Sequence, residues 1–319
     1  MEVAIERVER VIENIEQVVV GKRKEVELSL VALFAGGHVL LEDVPGVGKT
    51  MMVKAIARSL GAEFKRIQFT PDLLPSDVTG VSIYNQHSQQ FEFRPGPIMA
   101  NIVLADEINR TSPKTQSALL ESLEEGSVTV DGETLQLGKP FFVMATQNPV
   151  EYVGTFPLPE AQLDRFLIKL QLGYPSAQEE LEVLNRLQHH HPLEALESVM
   201  TREEVTDIQK EVTNVLVSDE VKGYMVDLVH ATRTHRSVEL GVSPRGTIAL
   251  MKVSQAYAFM KGRDYVIPDD VKFLAPYVLS HRMMLMAESK MSDQYAEQVI
   301  TSILQEVPIP VNQRRLARS

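Results

Sequence analysis

The chain has 319 residues, of which 44% are hydrophobic and 24% charged, so it is long enough for a large core and a second domain. It has no cysteine, which excludes disulfides and thiolate metal sites, and its formal charge of −11 argues against a broadly basic nucleic-acid-binding surface. The first residues do not resemble a signal peptide and no stretch is apolar enough to span a bilayer, so we expect no membrane insertion and a cytoplasmic location.

The chain begins with two predicted helices and a strand. Apolar residues recur at helical spacing from Val8 to Val19, and this pattern ends near Gly21. A second helical pattern extends through Phe34, and the apolar run 39–41 follows it. We therefore expect an amphipathic N-terminal helix, a second helix and the first strand of a sheet.

The segment after that strand has the pattern of a phosphate-binding loop. Glycines without a Cβ let backbone N–H groups approach a polyphosphate, and the helix that follows adds its N-terminal dipole. Lys49 is predicted to hold the β- and γ-phosphates of a nucleoside triphosphate, and the Thr50 hydroxyl to bind Mg²⁺. The full pattern has glycine at position 43, where this chain has Asp43. The predicted nucleotide contacts of this segment are Pro45, Gly46, Val47, Gly48, Lys49, Thr50 and Met51.

A later strand candidate ends in two acids. The run 101–105, apolar after its first residue, is followed by Asp106 and Glu107. In open α/β sheets, ligands bind at the edge where the carboxyl ends of the strands lie. Asp106 is therefore predicted to hold Mg²⁺, and Glu107 to polarise the water that attacks the γ-phosphate. The alternative is that the two acids simply open a solvated turn.

A third apolar run brings another polar side chain to the same edge. Residues 141–145 read as a strand and lead into Asn148. Asn148 is predicted to orient the attacking water or to contact the γ-phosphate. Because Pro149 follows it, a plain turn remains the alternative.

The strand candidates alternate with helical segments, which predicts the α/β class with a parallel sheet covered by helices on both faces. Two further segments, 81–97 and 127–138, are predicted to be inserted hairpins, and Asp131-Gly132 marks the turn of the second. The hairpins either cover sheet edges or contact a partner. The strand candidates are 39–41, 64–69, 102–105, 141–145 and 166–172.

Helical periodicity dominates after Gly173, with N-terminal caps predicted at Ser176 and Thr201. We expect two domains, an α/β core at 1–173 and a helical domain at 174–319. The histidines at 189–191 are interpreted as a solvated helix end rather than a metal site, and the arginines at 314, 315 and 318 as a solvated terminus.

Five segments, in this order and spacing, closely resemble the MoxR family of AAA+ ATPases. Two of them, Ala-Gln-Leu-Asp-Arg-Phe at 161–166 and Ser-Pro-Arg at 243–245, are not general features of phosphate-binding-loop proteins. The resemblance implies a P-loop AAA+ nucleotide-binding domain, with a five-stranded parallel sheet and inserted hairpins, followed by an all-α lid domain. The five segments are 46–50, 106–110, 145–149, 158–166 and 243–245.

The resemblance also implies roles for residues that spacing alone does not assign. Arg165 resembles an arginine finger that reaches the nucleotide of the neighbouring subunit, and Arg245 resembles the sensor on the lid. Val20 and Gly21 are implied to lie near the adenine. Arg110 is a weaker candidate for a contact between subunits.

The predicted function is that of a MoxR-type ATPase, which binds and hydrolyses Mg-ATP in a ring to remodel or mature client protein complexes. The family implies a homo-oligomer, usually a hexameric ring, and a von Willebrand factor A domain partner. One alternative is an ATP-controlled binding module with slow hydrolysis. Another is a DNA-acting ring motor, although the acidic balance makes a nucleic-acid partner unlikely.

Overall fold

The computed structural model describes residues 2–148, 154–188, 192–287 and 295–310. Pro149, the histidines at 189–191 and the C-terminal arginines lie outside these ranges. The chain divides into two compact units between residues 210 and 211. The helices of the first unit are α1 (Glu2–Glu16), α2 (Arg23–Phe34), α3 (Lys49–Ser59), α4 (Pro75–Thr79), α5 (Pro113–Glu125), α6 (Glu160–Leu163), α7 (Ala177–Leu187) and α8 (Pro192–Ala195), with α9 (Arg202–Val212) crossing the division.

The first unit contains a five-stranded parallel sheet and two antiparallel hairpins. The strands are β1 (Val39–Glu42), β2 (Phe64–Gln68), β3 (Gly80–Asn85), β4 (Gln90–Pro95), β5 (Ile102–Asp106), β6 (Ser127–Val130), β7 (Glu133–Gln136), β8 (Phe142–Gln147) and β9 (Ile168–Leu170). The sheet order is β2-β5-β8-β1-β9. Strand β5 is buried along its whole length, as its continuous apolar sequence requires in a sheet covered on both faces. The predicted α/β fold with a parallel sheet is confirmed.

The two inserted segments form hairpins, as the sequence predicts. Strand β3 pairs with β4, and β6 pairs with β7, both antiparallel. The turn between β6 and β7 places Asp131 at φ 52° and Gly132 at φ 84°. Positive φ at both central residues is what a two-residue hairpin turn requires, and Asp-Gly tolerates it.

Local interactions set both ends of helix α5. The Ser112 side chain accepts a hydrogen bond from the backbone N–H of Thr115, and Pro113 occupies the first turn. Gly126 ends the helix at φ 61°, in the left-handed region. These local interactions determine where α5 begins and ends, in the segment between β5 and the second hairpin.

The first compact unit includes helices that follow the last strand of the sheet. The Arg186 guanidinium on α7 donates to the carbonyls of Glu16 and Gln17 at the end of α1, over 2.6 and 2.8 Å. On α9, Gln209 Nε2 donates to the Leu33 carbonyl over 2.7 Å. Helices after the last strand are thus tied to the N-terminal helices, which moves the limit of the compact unit to residue 210. The domain limits 1–173 and 174–319 stay a prediction.

Within its described residues, the second unit is helical apart from one short antiparallel strand pair and an isolated bridge between Leu216 and Tyr265. Inside it, the Arg263 guanidinium donates to both carboxylate oxygens of Asp270, over 2.6 and 2.7 Å. Asp270 is almost fully buried and also accepts from the backbone N–H of Ile267. No helix in the described ranges is long and apolar enough to cross a membrane. The elements of this unit are α10 (Asp219–Thr234), β10 (Val238–Leu240), α11 (Pro244–Met260), α12 (Pro268–Leu279), β11 (Met284–Leu285) and α13 (Ala296–Glu306).

A buried histidine connects the sheet to α5. The backbone N–H of Val143 donates to His38 Nδ1 over 3.1 Å, and His38 Nε2 lies 3.2 Å from the Leu123 carbonyl. These contacts require a neutral ring that carries its proton on Nε2. Burial lowers the pKa of His38 from 6.5 to about 4, against the opposing effect of the bond to Leu123.

We expect the free energy of unfolding to fall as the pH is lowered from 6.5 towards 4. In that range the unfolded chain binds a proton at His38 and the folded chain does not, which costs the folded state up to about 3 kcal/mol. Urea unfolding at several pH values measures this slope. His38→Gln should flatten the slope, and His87→Gln, at an exposed histidine, should not. An equal slope in the His38 variant would contradict the assignment.

Candidate active site

The phosphate-binding loop connects β1 to α3 and requires glycine at two positions. Gly46 has φ 88°, and Gly48, the residue before α3, has φ 93°. Nothing lies within 4 Å of the place where a Cβ would stand at either glycine. It is therefore the left-handed backbone, and not crowding, that requires glycine there.

Asp43 has a structural role at the position where the general pattern has glycine. Its carboxylate accepts hydrogen bonds from the backbone N–H groups of Gly173, over 3.0 Å, and Leu172. Asp43 is buried, and its φ is not positive. The side chain thus ties the start of the loop to the segment after β9, and no glycine is needed at this position.

Lys49 is the first residue of α3, and its side chain turns back over the loop. Nζ donates to the carbonyls of Asp43 and Val44, over 2.9 and 3.3 Å. Burial lowers the pKa of Lys49, and the nearby charges of Asp43, Asp106 and Glu107 oppose that shift. The ammonium group is therefore held among acceptors beside the two acids.

The two acids at the end of β5 share one partner on the neighbouring strand. The Thr146 hydroxyl on β8 donates to Asp106 Oδ1 over 2.6 Å. The same oxygen of Thr146 accepts from the backbone N–H of Glu107 over 2.8 Å. One buried hydroxyl thus orients the Asp106 carboxylate and the Glu107 backbone.

Glu107 adopts a backbone conformation that is unusual for a residue with a side chain. Its φ and ψ are 59° and 49°, in the left-handed region. Such a conformation persists where surrounding contacts hold it, and it is frequent at functional sites. The side chain accepts from Gln68 Nε2 over 2.7 Å and lies 3.4 Å from Arg110 Nε.

Strand β2 contributes a cation to the site. The Arg66 guanidinium donates through Nε to Asp106 Oδ2 over 3.1 Å, and a second bond to that oxygen comes from Nη2. Arg66 Nη2 also donates to Gln68 Oε1. In this structure, one oxygen of Asp106 is therefore held by Thr146 and the other by Arg66.

These residues surround a cavity of about 360 Å³. It brings together nine of the residues that the sequence predicts, and it adds three that sequence reasoning missed. The predicted residues in its wall are Pro45, Gly46, Gly48, Lys49, Thr50, Met51, Asp106, Glu107 and Asn148, and the added ones are Arg66, Gln68 and Thr146. The sequence does contain a signal for Gln68, because it is a polar residue near the end of a strand candidate, as Asp106 is. In the structure the two residues are paired across neighbouring strands.

Other predicted residues lie elsewhere in the described chain. Val47 belongs to the loop without lining the cavity. Val20 and Gly21 lie in the segment between α1 and α2, and a Cβ at Gly21 would meet the Glu179 carboxylate. Arg165 Nε lies 3.3 Å from Glu124 Oε2. Arg245 is the second residue of α11, in the second unit, and its backbone N–H donates to Oγ of Ser243, the residue before the helix.

The donor set of the cavity fits a nucleoside triphosphate and a magnesium ion. Lys49 and the start of α3 present positive charge and N–H groups, which suit phosphates. The Thr50 hydroxyl and an Asp106 carboxylate oxygen are ligands of the kind that Mg²⁺ takes alongside phosphate oxygens and water. Glu107 is the second carboxylate in the wall of the cavity.

Comparisons with known proteins agree with this chemistry. Residues 38–168 match the ATPase family associated with various cellular activities (AAA), and residues 230–303 match an AAA lid domain. The chain is 42% identical to the chaperone MoxR1 of Mycobacterium tuberculosis, over 96% of this chain and 83% of that protein. The chain belongs to the MoxR family of AAA+ ATPases. This MoxR-family protein is therefore a chaperone-like ATPase, and its family implies that it binds ATP.

Two further similarities extend over almost the full length of this MoxR-family ATPase. It is 66% identical to the uncharacterized protein YeaC of Bacillus subtilis, over 95% of this chain and 94% of that protein. A crystal structure of a candidate ATPase from Cytophaga hutchinsonii matches with a TM-score of 0.91 and 41% identity, over 97% of this chain and 96% of that one. The expected AAA+ core and lid are thus confirmed.

Proposed function

We propose that this MoxR-family ATPase binds Mg-ATP in the cavity between the phosphate-binding loop and the end of β5, and hydrolyses it there. The observation that carries the proposal is the convergence of Lys49, Thr50, Asp106 and Glu107 on one cavity. Bound Mg²⁺ would neutralise charge on the β- and γ-phosphate oxygens. Lys49 leaves its loop carbonyls to bind the phosphates, and Glu107 orients and polarises the attacking water.

Binding of ATP to Lys49→Ala tests the proposed site. Loss of a charged hydrogen-bonding partner of the phosphates should weaken binding about 10- to 100-fold. Lys54→Ala, five residues further along α3, is the matched control, because Lys54 is not part of the cavity wall. Calorimetry on both variants, with Mg²⁺ present, gives the comparison. Unchanged affinity in the Lys49 variant would contradict the site.

Arg66 competes with a cation for Asp106, so its removal should alter the dependence of ATP binding on Mg²⁺. With Arg66→Ala, we expect a several-fold fall in the Mg²⁺ concentration that gives half of the maximal effect on ATP affinity. The reason is that Asp106 Oδ2 no longer has to release the guanidinium before it binds the metal. Titrations of Mg²⁺ at fixed ATP measure this effect. Lys65→Ala, at an exposed position on β2, serves as the control. A higher Mg²⁺ requirement in Arg66→Ala would show that Arg66 supports binding instead.

We further propose that the active form is a homo-oligomer, a hexameric ring, in which Arg165 of one subunit completes the site of its neighbour. Arg165 does not line the cavity of its own chain, and its side chain is partly exposed. Arg245 is proposed as the lid sensor, Asn148 as the residue that orients water or the γ-phosphate, and Val20 and Gly21 as adenine neighbours. The ring is proposed to act with a von Willebrand factor A domain partner on protein clients.

One observation favours a second candidate, an ATP-controlled binding module with slow hydrolysis. Gln68 holds the Glu107 carboxylate through a 2.7 Å hydrogen bond, so Glu107 has to exchange a partner before it acts on water. In that case a partner would bind with different affinity in the presence of ATP and ADP, and unstimulated turnover would be negligible. Equal affinity in both nucleotides would exclude this candidate.

A further inference from the structure

The two inserted hairpins enclose a second cavity, of about 510 Å³, which we call the hairpin groove. This volume is in the range of ligand sites, roughly 300–1,000 Å³. None of its lining residues belongs to the cavity that is proposed to bind ATP. The residues that define the hairpin groove are Phe91, Phe93, Val130, Leu135, Asp131 and Glu133.

One wall of the hairpin groove is aromatic. In the first hairpin Tyr84 pairs with Phe91 and Ser82 with Phe93, so these four side chains share one face. Phe91 is 74% exposed, and its only ring contact in the described chain is an edge-to-face one with Tyr84, whose centroid is 5.4 Å away. A phenylalanine this exposed at the wall of a cavity indicates a surface for binding apolar side chains.

The opposite wall combines apolar and acidic side chains. In the second hairpin Val130 pairs with Glu133 and Val128 with Leu135, which places Val130, Glu133 and Leu135 on one face. Asp131 stands at the turn beside them. Asp131 and Glu133 are both exposed, and the residues described as lining the groove include no basic side chain. The groove is therefore apolar within and negative on one side.

We infer that the hairpin groove binds an extended protein segment in which an apolar side chain is flanked by lysine or arginine. This inference rests on the proposed action on protein clients and names the chemistry of the client segment. The apolar side chain would pack between Phe91 and Leu135, and the flanking cation would face Asp131 and Glu133 and the ring of Phe91. The carboxylates disfavour a nucleic-acid strand, whose phosphates would be repelled.

The test uses fluorescent peptides of about twelve residues and measures their anisotropy with the full chain. One peptide alternates leucine with lysine, a second leucine with glutamate, and a third serine with lysine. We expect the leucine–lysine peptide to bind at least about 10-fold more tightly than the other two, with an affinity that falls as salt rises. An equal affinity for all three peptides would overturn the inference.

Variants assign the binding to the groove. Phe91→Ala should weaken the leucine–lysine peptide about 10-fold, and Asp131→Asn with Glu133→Gln should remove most of the preference for lysine over glutamate and most of the salt dependence. The control is Ile83→Ala, because Ile83 is 40% exposed on the opposite face of the same hairpin. Equal losses in Ile83→Ala and Phe91→Ala would overturn the inference.

Other occupants give different results. If the groove holds a second copy of the chain, Phe91→Ala lowers the oligomer mass in light scattering and the peptide does not bind. If it holds nucleic acid, a single-stranded oligonucleotide binds and competes with the peptide; either result overturns the inference. ATP binding and hydrolysis are measured separately, without peptide. Their absence would count against the proposed function. Normal ATP binding and hydrolysis in a protein that does not bind the peptide would count against the groove alone.

Discussion

Replacing Glu107 with glutamine is expected to lower ATP turnover about 10²- to 10⁴-fold and to leave ATP affinity almost unchanged. Glutamine keeps the size of the side chain and the backbone N–H that donates to Thr146, so the left-handed conformation at 107 is retained. It cannot take up a proton or polarise water as a carboxylate does. The loss should therefore appear in kcat and not in binding.

The measurement for the Glu107 variant is steady-state phosphate release, together with calorimetric ATP binding. Glu63→Gln is the matched control, because Glu63 is an exposed acid at the opposite end of the neighbouring strand and should leave both quantities unchanged. Normal turnover in Glu107→Gln would remove the residue from the proposed mechanism. A parallel loss of ATP affinity would point to a role in binding instead.

Replacing Arg165 with alanine is expected to lower turnover by a factor of about 10³ or more, the range measured for arginines that stabilise phosphoryl-transfer transition states from another subunit. The reason is that negative charge develops on the γ-phosphate oxygens, and a guanidinium in a site that excludes water stabilises it. Within its own chain Arg165 pairs with Glu124. A single ion pair between partly exposed side chains contributes little to stability, so the variant should fold normally.

Mixing two inactive variants separates action on the neighbour from action within one chain. Arg165→Ala keeps an intact Glu107, and Glu107→Gln keeps an intact Arg165, so mixed assemblies regain activity at sites that take one residue from each. The control mixes Arg165→Ala with a variant that carries both substitutions, and this mixture should stay inactive. Activity that does not return on mixing would contradict a shared site.

Local sequence was sufficient for most of the fold. The turn at Asp131-Gly132 depends on interactions within a few residues, and the structure confirms it; the caps of α5 are local in the same way. The apolar run before Asp106 likewise indicates a strand that is buried on both faces. The glycines of the loop indicate left-handed backbone. These features therefore predicted the sheet and the position of the cavity.

The missed residues depend on which strands are neighbours. Arg66 and Gln68 reach the acids because β2 lies next to β5, and Thr146 does so because β8 lies on the other side. In the sequence, Asp43 is only a departure from a pattern, because its hydrogen-bond partners lie about 130 residues further along the chain. Sheet order and contacts of this range are set by the packing of the whole unit, which sequence periodicity does not report.

The most direct test of the central claim is the rate of ATP hydrolysis per protomer, measured with Mg²⁺ over a wide range of protein concentration. The proposal of a site completed by Arg165 from a second subunit predicts that the specific rate rises with concentration and then levels off as assembly is completed. A rate near zero at every concentration, with ATP binding intact, would contradict the self-assembling hydrolase. A substantial rate that does not change with concentration would contradict the need for a second subunit.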